Sequence, residues 1–284
     1  MSKIYTLYHN NCPDGFGSAL AAYLKFGDKS EYIGVKHQQD PPEMEAGSEV
    51  YILDFSYPRP IMEELLEKHT KVITLDHHKT AQEALLGLRG ALFDMNRSGA
   101  MISWEYFHPD REIPDLFKYI QDRDLWQWKL EDTSEITTGL QLLPQQFDLW
   151  IDLLTPQGLA GLQQDGKTMV RYQRKEIKGM LKHVYLDNLP AYQVATGEWK
   201  TGSLIPMINC SSYDIVSELC HTILEEYPDA PFVASWFRGK SNISYSLRSQ
   251  PNFDCSEIAK LYGGGGHKNS SGFKIAIIDC LQGI

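Results

Sequence analysis

The stretch Val72-Ile73-Thr74-Leu75-Asp76-His77-His78 decides the fold. Its apolar run, rich in β-branched residues, predicts a buried β-strand, and the strand ends in three side chains that can bind a metal ion. Two earlier segments have the same form. Ile4 to Tyr8 is followed by His9, and Val50 to Leu53 is followed by Asp54. The pattern predicts three β-strands, each followed by a polar residue.

Helix-favouring segments separate these strands, at Ser18 to Leu24 and at Ile61 to His69. Strands that alternate with helices indicate βαβ units and a mostly parallel sheet. Ligands of such sheets bind beyond the carboxyl ends of the strands. We therefore expect one rim of the sheet to carry the potential metal ligands His9, Asp14, Asp54, Asp76 and His77.

The length of 284 residues favours two domains, and the rest of the chain fits that division. Helical spacing at residues 100–107 and 116–125 completes a metal-binding α/β domain of residues 1–155. A polar, helix-favouring stretch at 158–183 predicts a linker helix within residues 156–187. Residues 188–284 predict a smaller mixed α/β domain, with strands at 192–195, 204–208, 232–237, 243–247 and 273–278 and helices at 216–226 and 256–262.

The composition is that of a folded, soluble protein, with 42% hydrophobic and 23% charged residues. Because no apolar run has the length of a membrane span or the form of a signal peptide, we expect a cytoplasmic protein. The five cysteines are scattered without CxxC spacing, which favours reduced thiols over disulfides or a zinc site. A net charge of −10 argues against binding of long nucleic acid, but not against a short phosphorylated substrate held by a few contacts.

The predicted rim offers the ligands of a hard divalent cation. Mn²⁺ and Mg²⁺ prefer carboxylate oxygens with a few imidazoles, and two such ions can clamp a phosphoryl group while activating a water. Taken alone, Asp54 is better interpreted as a helix cap or turn residue. Asp76-His77-His78 is more indicative, since three consecutive ligand-capable residues at a strand end have no evident packing purpose.

A glycine run near the end of the chain, Gly263 to Gly266, is followed by His267 and Lys268. Glycines let backbone N–H groups approach an anion closely, and the two following side chains can add charged donors. The alternative is a flexible loop between a helix ending at Tyr262 and a strand beginning at Phe273. The adjoining His267 and Lys268 favour phosphate binding.

Two further features could bind a ligand, although a structural role is favoured for each. Arg97 and Ser98 precede a predicted helix whose N-terminus could accept a second phosphate, but Ser98 fits a plain N-cap better. Trp126, Trp128 and Trp150 could stack a base, but core packing explains most of them. Trp126 is the best candidate for exposure because it adjoins an acidic motif.

Together, Asp76-His77-His78 and GGGGHKNSSGF (residues 263–273) resemble the DHH family of phosphoesterases with a C-terminal DHHA1 domain. The resemblance spans nearly the whole chain, because residues 9–15, 53–54 and 122–126 are similar to the first, second and fourth family motifs. It implies an N-terminal DHH domain with a mostly parallel sheet flanked by helices, a linker helix and a smaller DHHA1 domain.

The resemblance also implies a metal centre of two Mn²⁺ ions, with Mg²⁺ or another divalent cation as the alternative. Asp54 would bridge the ions, with His9 nearer one ion and Asp14 and His77 nearer the other. His78 would face the scissile phosphate, which makes Asp54, His77 and His78 the catalytic residues.

The fourth motif and the DHHA1 domain add further implied roles. Asp122 or Asp124 would be a metal ligand, and the sequence does not choose between them; the alternative role for one of them is to pair with Arg123. In the second domain, Arg248 and His267 would hold the substrate phosphate or terminal nucleotide. The backbone N–H groups of Gly265 and Gly266 would donate hydrogen bonds to the same phosphate.

One position departs from the family pattern. Cys12 stands where the first motif carries an aspartate, and His9 lies one residue closer to Asp14 than in the family. A thiolate ligand would favour Mn²⁺, Fe²⁺ or Zn²⁺ over Mg²⁺. A small buried residue without a ligand role is an equal alternative.

The family resemblance, together with the acidic composition, implies a metal-dependent phosphodiesterase that hydrolyses short oligonucleotides to nucleoside monophosphates. Within the family, the chain resembles the nano-RNA oligoribonucleases, which are exonucleases. One alternative is a hydrolase of cyclic dinucleotides or other small phosphoesters. Another is a nucleotide-binding regulatory protein that has lost turnover because of Cys12. The expected partner is a short oligonucleotide or dinucleotide, and we expect binding neither to a membrane nor to a long nucleic-acid duplex. A homodimer is compatible with this interpretation.

Overall fold

The computed structural model describes residues 2–36, 39–190, 192–193, 199–200 and 204–277. The chain divides into two compact units, Met1–Arg171 and Tyr172–Ile284. The finer division into 1–155, 156–187 and 188–284 stays a prediction. Parts of two predicted strands, at 194–195 and at 278, lie outside the described residues, as does Cys280.

The first unit contains a five-stranded parallel sheet with helices on both faces, as predicted. Its strands are β1 (Ile4–His9), β2 (Ser30–Val35), β3 (Glu49–Leu53), β4 (Lys71–Asp76) and β5 (Ala91–Phe93). Its helices are α1 (Pro13–Phe26), α2 (Arg59–Lys68), α3 (Lys79–Ala84), α4 (Gly99–Phe107), α5 (Asp115–Asp124), α6 (Thr133–Gly139) and α7 (Phe147–Asp152). The long helix α8 (Pro156–Met180) contains the division between the units.

Alternate residues of the strands face opposite sides, so both faces of this sheet are buried. In β3, Val50 and Ile52 pack in a core with Met62 of α2. Tyr51 and Leu53 pack in a second core with residues of α1, α4 and α5. This two-sided burial explains why the strands read as apolar runs rather than as alternating patterns.

The strand order β2-β1-β3-β4-β5 reverses direction between β1 and β3. A crevice forms at such a switch point, beyond the carboxyl ends of the two strands. His9 is the last residue of β1, and Asp54 directly follows β3. The topology therefore brings these two side chains to the same crevice.

The second unit contains a six-stranded mixed sheet in the order β12-β13-β11-β10-β9-β6. Its strands are β6 (Tyr185–Asn188), β9 (Leu204–Asn209), β10 (Phe232–Arg238), β11 (Asn242–Ser249), β12 (Gly265–His267) and β13 (Ser270–Ala276), and the short strands β7 (Tyr192–Gln193) and β8 (Trp199–Lys200) form a separate pair. It also contains the helices α9 (Val216–Glu226) and α10 (Cys255–Leu261). The sheet has a core on each face, since Met207 packs in the cluster that contains Ala259 of α10, whereas Ile208 packs with Leu219 of α9.

The sequence placed the start of α1 too late. The helix begins at Pro13, because proline at the first helical position has the backbone angle of a helix and lacks only an N–H that would be unpaired there. Asp14 therefore lies in the first turn of a helix rather than in a polar loop. No helix in the described part of the chain is long and apolar enough to cross a membrane.

Candidate active site

Asp54 lies at the centre of the candidate site. It has a φ of 61°, a conformation that a residue with a side chain rarely adopts, and it is only 1% exposed. One carboxylate oxygen, Oδ2, lies 3.4 Å from Nδ1 of His9, and the other, Oδ1, lies 3.1 Å from Nε2 of His77. The two oxygens thus face two different imidazoles.

The first group of potential ligands contains His9, Cys12 and Asp54, whose donor atoms all lie within 4.8 Å of one another. Cys12 is the N-cap residue of α1, a few residues beyond β1. Burial raises the pKa of its thiol well above the usual value, and the nearby Asp54 and Asp14 carboxylates add to the effect. A cation in this group would offset that repulsion and favour the thiolate.

The second group contains Asp14, His77 and Asp124. Nε2 of His77 lies 3.4 Å from Asp14 Oδ2 and 3.6 Å from Asp124 Oδ2. Burial, with the charges of Asp54 and Asp124, raises the pKa of Asp14 to about 7. Although burial opposes it, the Asp124, Asp14 and Asp54 carboxylates raise the pKa of His77 to about 12. The three carboxylates thus favour positive charge at this position, which either a proton or a metal ion can supply.

These donors fit a pair of divalent cations that share Asp54. Adjacent ligands of an octahedral ion with bonds of about 2.1 Å lie about 3 Å apart. The spacings of 3.1 to 3.6 Å around His77 and Asp54 are close to that value. Buried carboxylates that repel one another are stabilised when a cation lies between them. The residues therefore suit hard divalent metals, with one softer donor in Cys12.

The N-terminus of α4 orients Asp14. The backbone N–H groups of Gly99 and Ala100 donate to its two carboxylate oxygens at 2.6 and 2.9 Å. The positive end of the helix stabilises this buried carboxylate. A side chain at Gly99 would displace Asp54 or the helix, because its Cβ would lie 2.6 Å from Cβ of Asp54.

This arrangement agrees with the structural role that the sequence favoured for Ser98 over binding of a second phosphate beside Arg97. The Asp14 carboxylate already occupies the N–H groups that a phosphate would use. Ser98 is the N-cap of α4, and its hydroxyl accepts a hydrogen bond from the N–H of Met101. Arg97 forms an exposed ion pair with Glu105.

Asp76 lies within reach of Asp54 and His78. However, four protein donors fill its acceptor positions, whereas Asp14 has only two such donors among the described residues. Oδ1 accepts hydrogen bonds from the N–H groups of His77 and His78 and lies 2.7 Å from Nδ1 of His78, while Oδ2 accepts from the Ser56 hydroxyl. Although burial opposes it, Asp76 raises the pKa of His78. Asp76 is thus placed to position His78 rather than to bind a metal.

The structure separates the two aspartates of the fourth motif. Asp124 is the residue that reaches His77, whereas Asp122 accepts hydrogen bonds from the N–H groups of Lys129 and Leu130 and from the Thr133 hydroxyl. These three donors hold the loop after α5. Asp122 is therefore not brought into the candidate metal centre.

The tryptophans also differ in their surroundings. Trp150 is 1% exposed and packs in the core, as predicted for most of this set. Trp126 is half-buried, and Trp128 is 37% exposed, so Trp128 rather than Trp126 is the more exposed residue.

In the second unit, the candidate anion-binding residues lie in one row across three strands. Arg248 of β11 pairs in register with Ser270 of β13, which pairs with His267 of β12. Directly opposite residues share a face of the sheet, and strands are about 4.8 Å apart, so Arg248 and His267 lie about 10 Å apart on that face. The Arg248 guanidinium donates to the Ser217 hydroxyl in the first turn of α9.

The glycine run is not wholly a loop. Gly265 and Gly266 belong to β12, because they pair with β13, which begins at Ser270 rather than at Phe273. Gly266 has a φ of 135°, which glycine tolerates.

Sequence reasoning missed two residues that support the site. Ser56 donates a hydrogen bond to Asp76, and Gly99 leaves the space that the Asp54 side chain fills, but neither residue lies in a recognisable metal-binding pattern. A serine two residues after a strand-end aspartate, and a glycine after an N-cap serine, are common without such a role.

Comparison with models of known protein families gives no match. The sequence is 33% identical to uncharacterized protein R106 of Acanthamoeba polyphaga mimivirus, over 97% of this chain and 68% of that protein. It is 26% identical to oligoribonuclease NrnB of Bacillus subtilis, over 96% of this chain and 73% of that protein.

Among solved structures, a DHH domain of a member of the s1p family of ribosomal proteins has a TM-score of 0.61, with 14% identity over 99% of this chain and 85% of that one. RecJ of Thermus thermophilus in complex with Mn²⁺ has a TM-score of 0.52, with 13% identity over 96% of this chain and 49% of that one. These structures share the fold.

The parallel sheet carries carboxylate and imidazole groups at its switch point, which are the donors expected of a metal-binding α/β domain. Through its fold and its sequence similarity to oligoribonuclease NrnB, the chain resembles the DHH family of phosphoesterases.

Proposed function

We propose that this protein is a Mn²⁺-dependent phosphodiesterase that releases nucleoside monophosphates from short oligonucleotides. The observation that carries the proposal is the division of the Asp54 carboxylate between two groups of donors, His9 with Cys12 and His77 with its aspartates. The similarity to oligoribonuclease NrnB supports the choice of substrate.

In this proposal, Asp54 would be a ligand shared by two metal ions. His9 and Cys12 would complete one site, and Asp14, His77 and Asp124 would complete the other. Bound there, two divalent ions would clamp a phosphoryl group and activate a water for attack. Asp124 rather than Asp122 is the ligand of the fourth motif.

The remaining residues of the first unit act by positioning and charge. Asp76, held by Ser56, fixes the ring of His78 and favours its charged form. His78 then donates a hydrogen bond to a phosphoryl oxygen and stabilises the charge that develops during hydrolysis.

In the second unit, Arg248 and His267 bind a phosphate or the terminal nucleotide of the substrate, with backbone donors from Gly265 and Gly266. Their common row on one sheet face supports this assignment. A few such contacts suit a short substrate, and the net charge of −10 disfavours a long one.

The test is release of mononucleotides from RNA of two to five residues with Mn²⁺ present or removed by chelation, beside a panel of DNA oligomers and cyclic dinucleotides. We expect metal-dependent release from the short RNA, lost in Asp54→Ala. Nucleotide binding without release from any substrate would refute the proposal and favour a regulatory protein.

A further inference from the structure

The loop after α5 carries a partly exposed cluster of Arg123, Trp126 and Trp128. The Arg123 guanidinium lies 4.4 Å from the ring centre of Trp126 and 5.3 Å from that of Trp128. The two indoles meet edge to face, with ring centres 4.9 Å apart. The cluster presents a planar cation and two aromatic rings near the surface.

Both tryptophans have unusual backbone conformations. Their φ angles are 54° and 53°, in a region that bulky residues rarely adopt because of steric cost. Core packing does not explain this cost for Trp128, which is 37% exposed, in contrast to Trp150. Strained residues of this kind cluster at ligand sites, where the surrounding structure holds them.

Asp122 supplies that support. Its carboxylate accepts the N–H groups of Lys129 and Leu130, at 2.9 and 3.1 Å, and the Thr133 hydroxyl at 2.6 Å. The backbone N–H of Gln127 also donates to the Asp122 carbonyl. These hydrogen bonds hold the part of the loop that follows both tryptophans in the chain. A ligand would therefore not have to order the loop when it binds, which lowers the entropic cost of binding.

The cluster adjoins the candidate metal centre through Asp124. This residue ends α5, lies 3.6 Å from His77, and stands between Arg123 and Trp126 in the chain. Two peptide units separate the Cα atoms of Asp124 and Trp126, so they lie at most about 7.6 Å apart. The cluster therefore begins within two residues of a candidate metal ligand.

We propose that Arg123, Trp126 and Trp128 form a platform on which a nucleobase of the substrate stacks. The inference rests on the proposed phosphodiesterase function. Aromatic rings stack on any base, and a guanidinium adds a planar cation. The ligand that fits this platform is a phosphate that carries a nucleobase. Different bases can bind, because each base has a similar flat face for stacking.

The test compares binding of adenosine 5′-monophosphate and ribose 5-phosphate to the full-length, Mn²⁺-loaded protein by calorimetry. Neither probe contains a phosphodiester, so binding is measured apart from turnover. The variants are Trp128→Ala, Trp128→Phe and, as a matched control, Tyr172→Ala, which removes an aromatic side chain that is 59% exposed on α8. Circular dichroism verifies that each variant folds.

We expect Trp128→Ala to weaken binding of the monophosphate about 5- to 150-fold, the range that stacking of one base represents. Trp128→Phe should retain most of the affinity, and Tyr172→Ala should match the wild type. Ribose 5-phosphate should bind equally to all four proteins. Equal affinity of the wild type and Trp128→Ala for the monophosphate, or no preference of the wild type for the base-bearing probe, would overturn the platform.

The result is separable from that for catalysis. If the protein binds the monophosphate through Trp128 but releases no mononucleotides, the platform is supported and the proposed activity is refuted. If the protein hydrolyses short RNA but Trp128→Ala matches the wild type in binding and KM, only the platform is refuted.

Discussion

Substitution of Gly99 by alanine should disable the metal centre without altering any ligand. A Cβ at this position would lie 2.6 Å from Cβ of Asp54 and 2.7 Å from its Oδ1. Non-bonded carbons are most stable about 3.5 to 4.0 Å apart, so Asp54 or α4 must move by about 0.9 Å. Displacement of about 1 Å can lower turnover on the order of 100-fold, and disturbed support of a ligand weakens metal binding about 10- to 100-fold.

The assay is Mn²⁺ titration by calorimetry, followed by hydrolysis of a short RNA at saturating metal. Gly161→Ala is the matched control, because Gly161 lies within helix α8 and a Cβ there meets no atom within 4 Å. The control should bind metal normally and gain up to about 1 kcal/mol in unfolding free energy from helix propensity. If Gly99→Ala binds and turns over like the control, the position of Asp54 does not limit the site and the reasoning fails.

Three further predictions concern other parts of the first unit. Asp124→Asn should lower the metal bound per chain, measured by elemental analysis, whereas Asp122→Asn should leave it intact and lower the unfolding free energy by roughly 1.5–3 kcal/mol, since it weakens hydrogen bonds to a charged group; the opposite pattern would exchange their roles. Co²⁺-loaded protein should absorb in the near ultraviolet through thiolate-to-metal charge transfer, and Cys12→Ser should lack that band; an unchanged spectrum would exclude Cys12 as a ligand. His69 has no hydrogen-bond partner for either ring nitrogen among the described residues, and burial lowers its pKa below the usual 6.5. The unfolded state then binds more protons than the native state below about pH 6.5, so stability falls as the pH drops through that value. His69→Leu should reduce the difference in melting temperature between about pH 7.5 and about pH 5.5, on either side of that pKa, and an unchanged difference would contradict this.

Much of the first unit could be predicted from the sequence, because strands buried on both faces are apolar runs and stop where polar residues begin. Parallel strands end at the same rim, which is why His9, Asp54 and His77 could be expected together. The strand order that creates the crevice was not predictable, since β2 and β5 lack a strong pattern. β5 has only three residues.

Choices that depend on tertiary packing could not be made from the sequence. Asp122 and Asp124 are two residues apart in a helix and point about 200° apart, so only the packing of α5 decides which one meets His77. The N-terminus of α4 had the form of an anion site, but its anion is Asp14, 85 residues earlier in the chain. Nothing in the sequence of the glycine run predicted that Gly265 and Gly266 form part of an edge strand that pairs with β13.

The central claim is that Asp54 bridges two metal ions, and electron paramagnetic resonance of the Mn²⁺-loaded protein tests it most directly. The wild type should bind two Mn²⁺ per chain and give the spectrum of an exchange-coupled pair. Asp54→Asn, with its fold verified by circular dichroism, should lose the coupling along with bound metal. A wild-type protein with a single uncoupled Mn²⁺, or a coupled pair that survives in Asp54→Asn, would contradict the account.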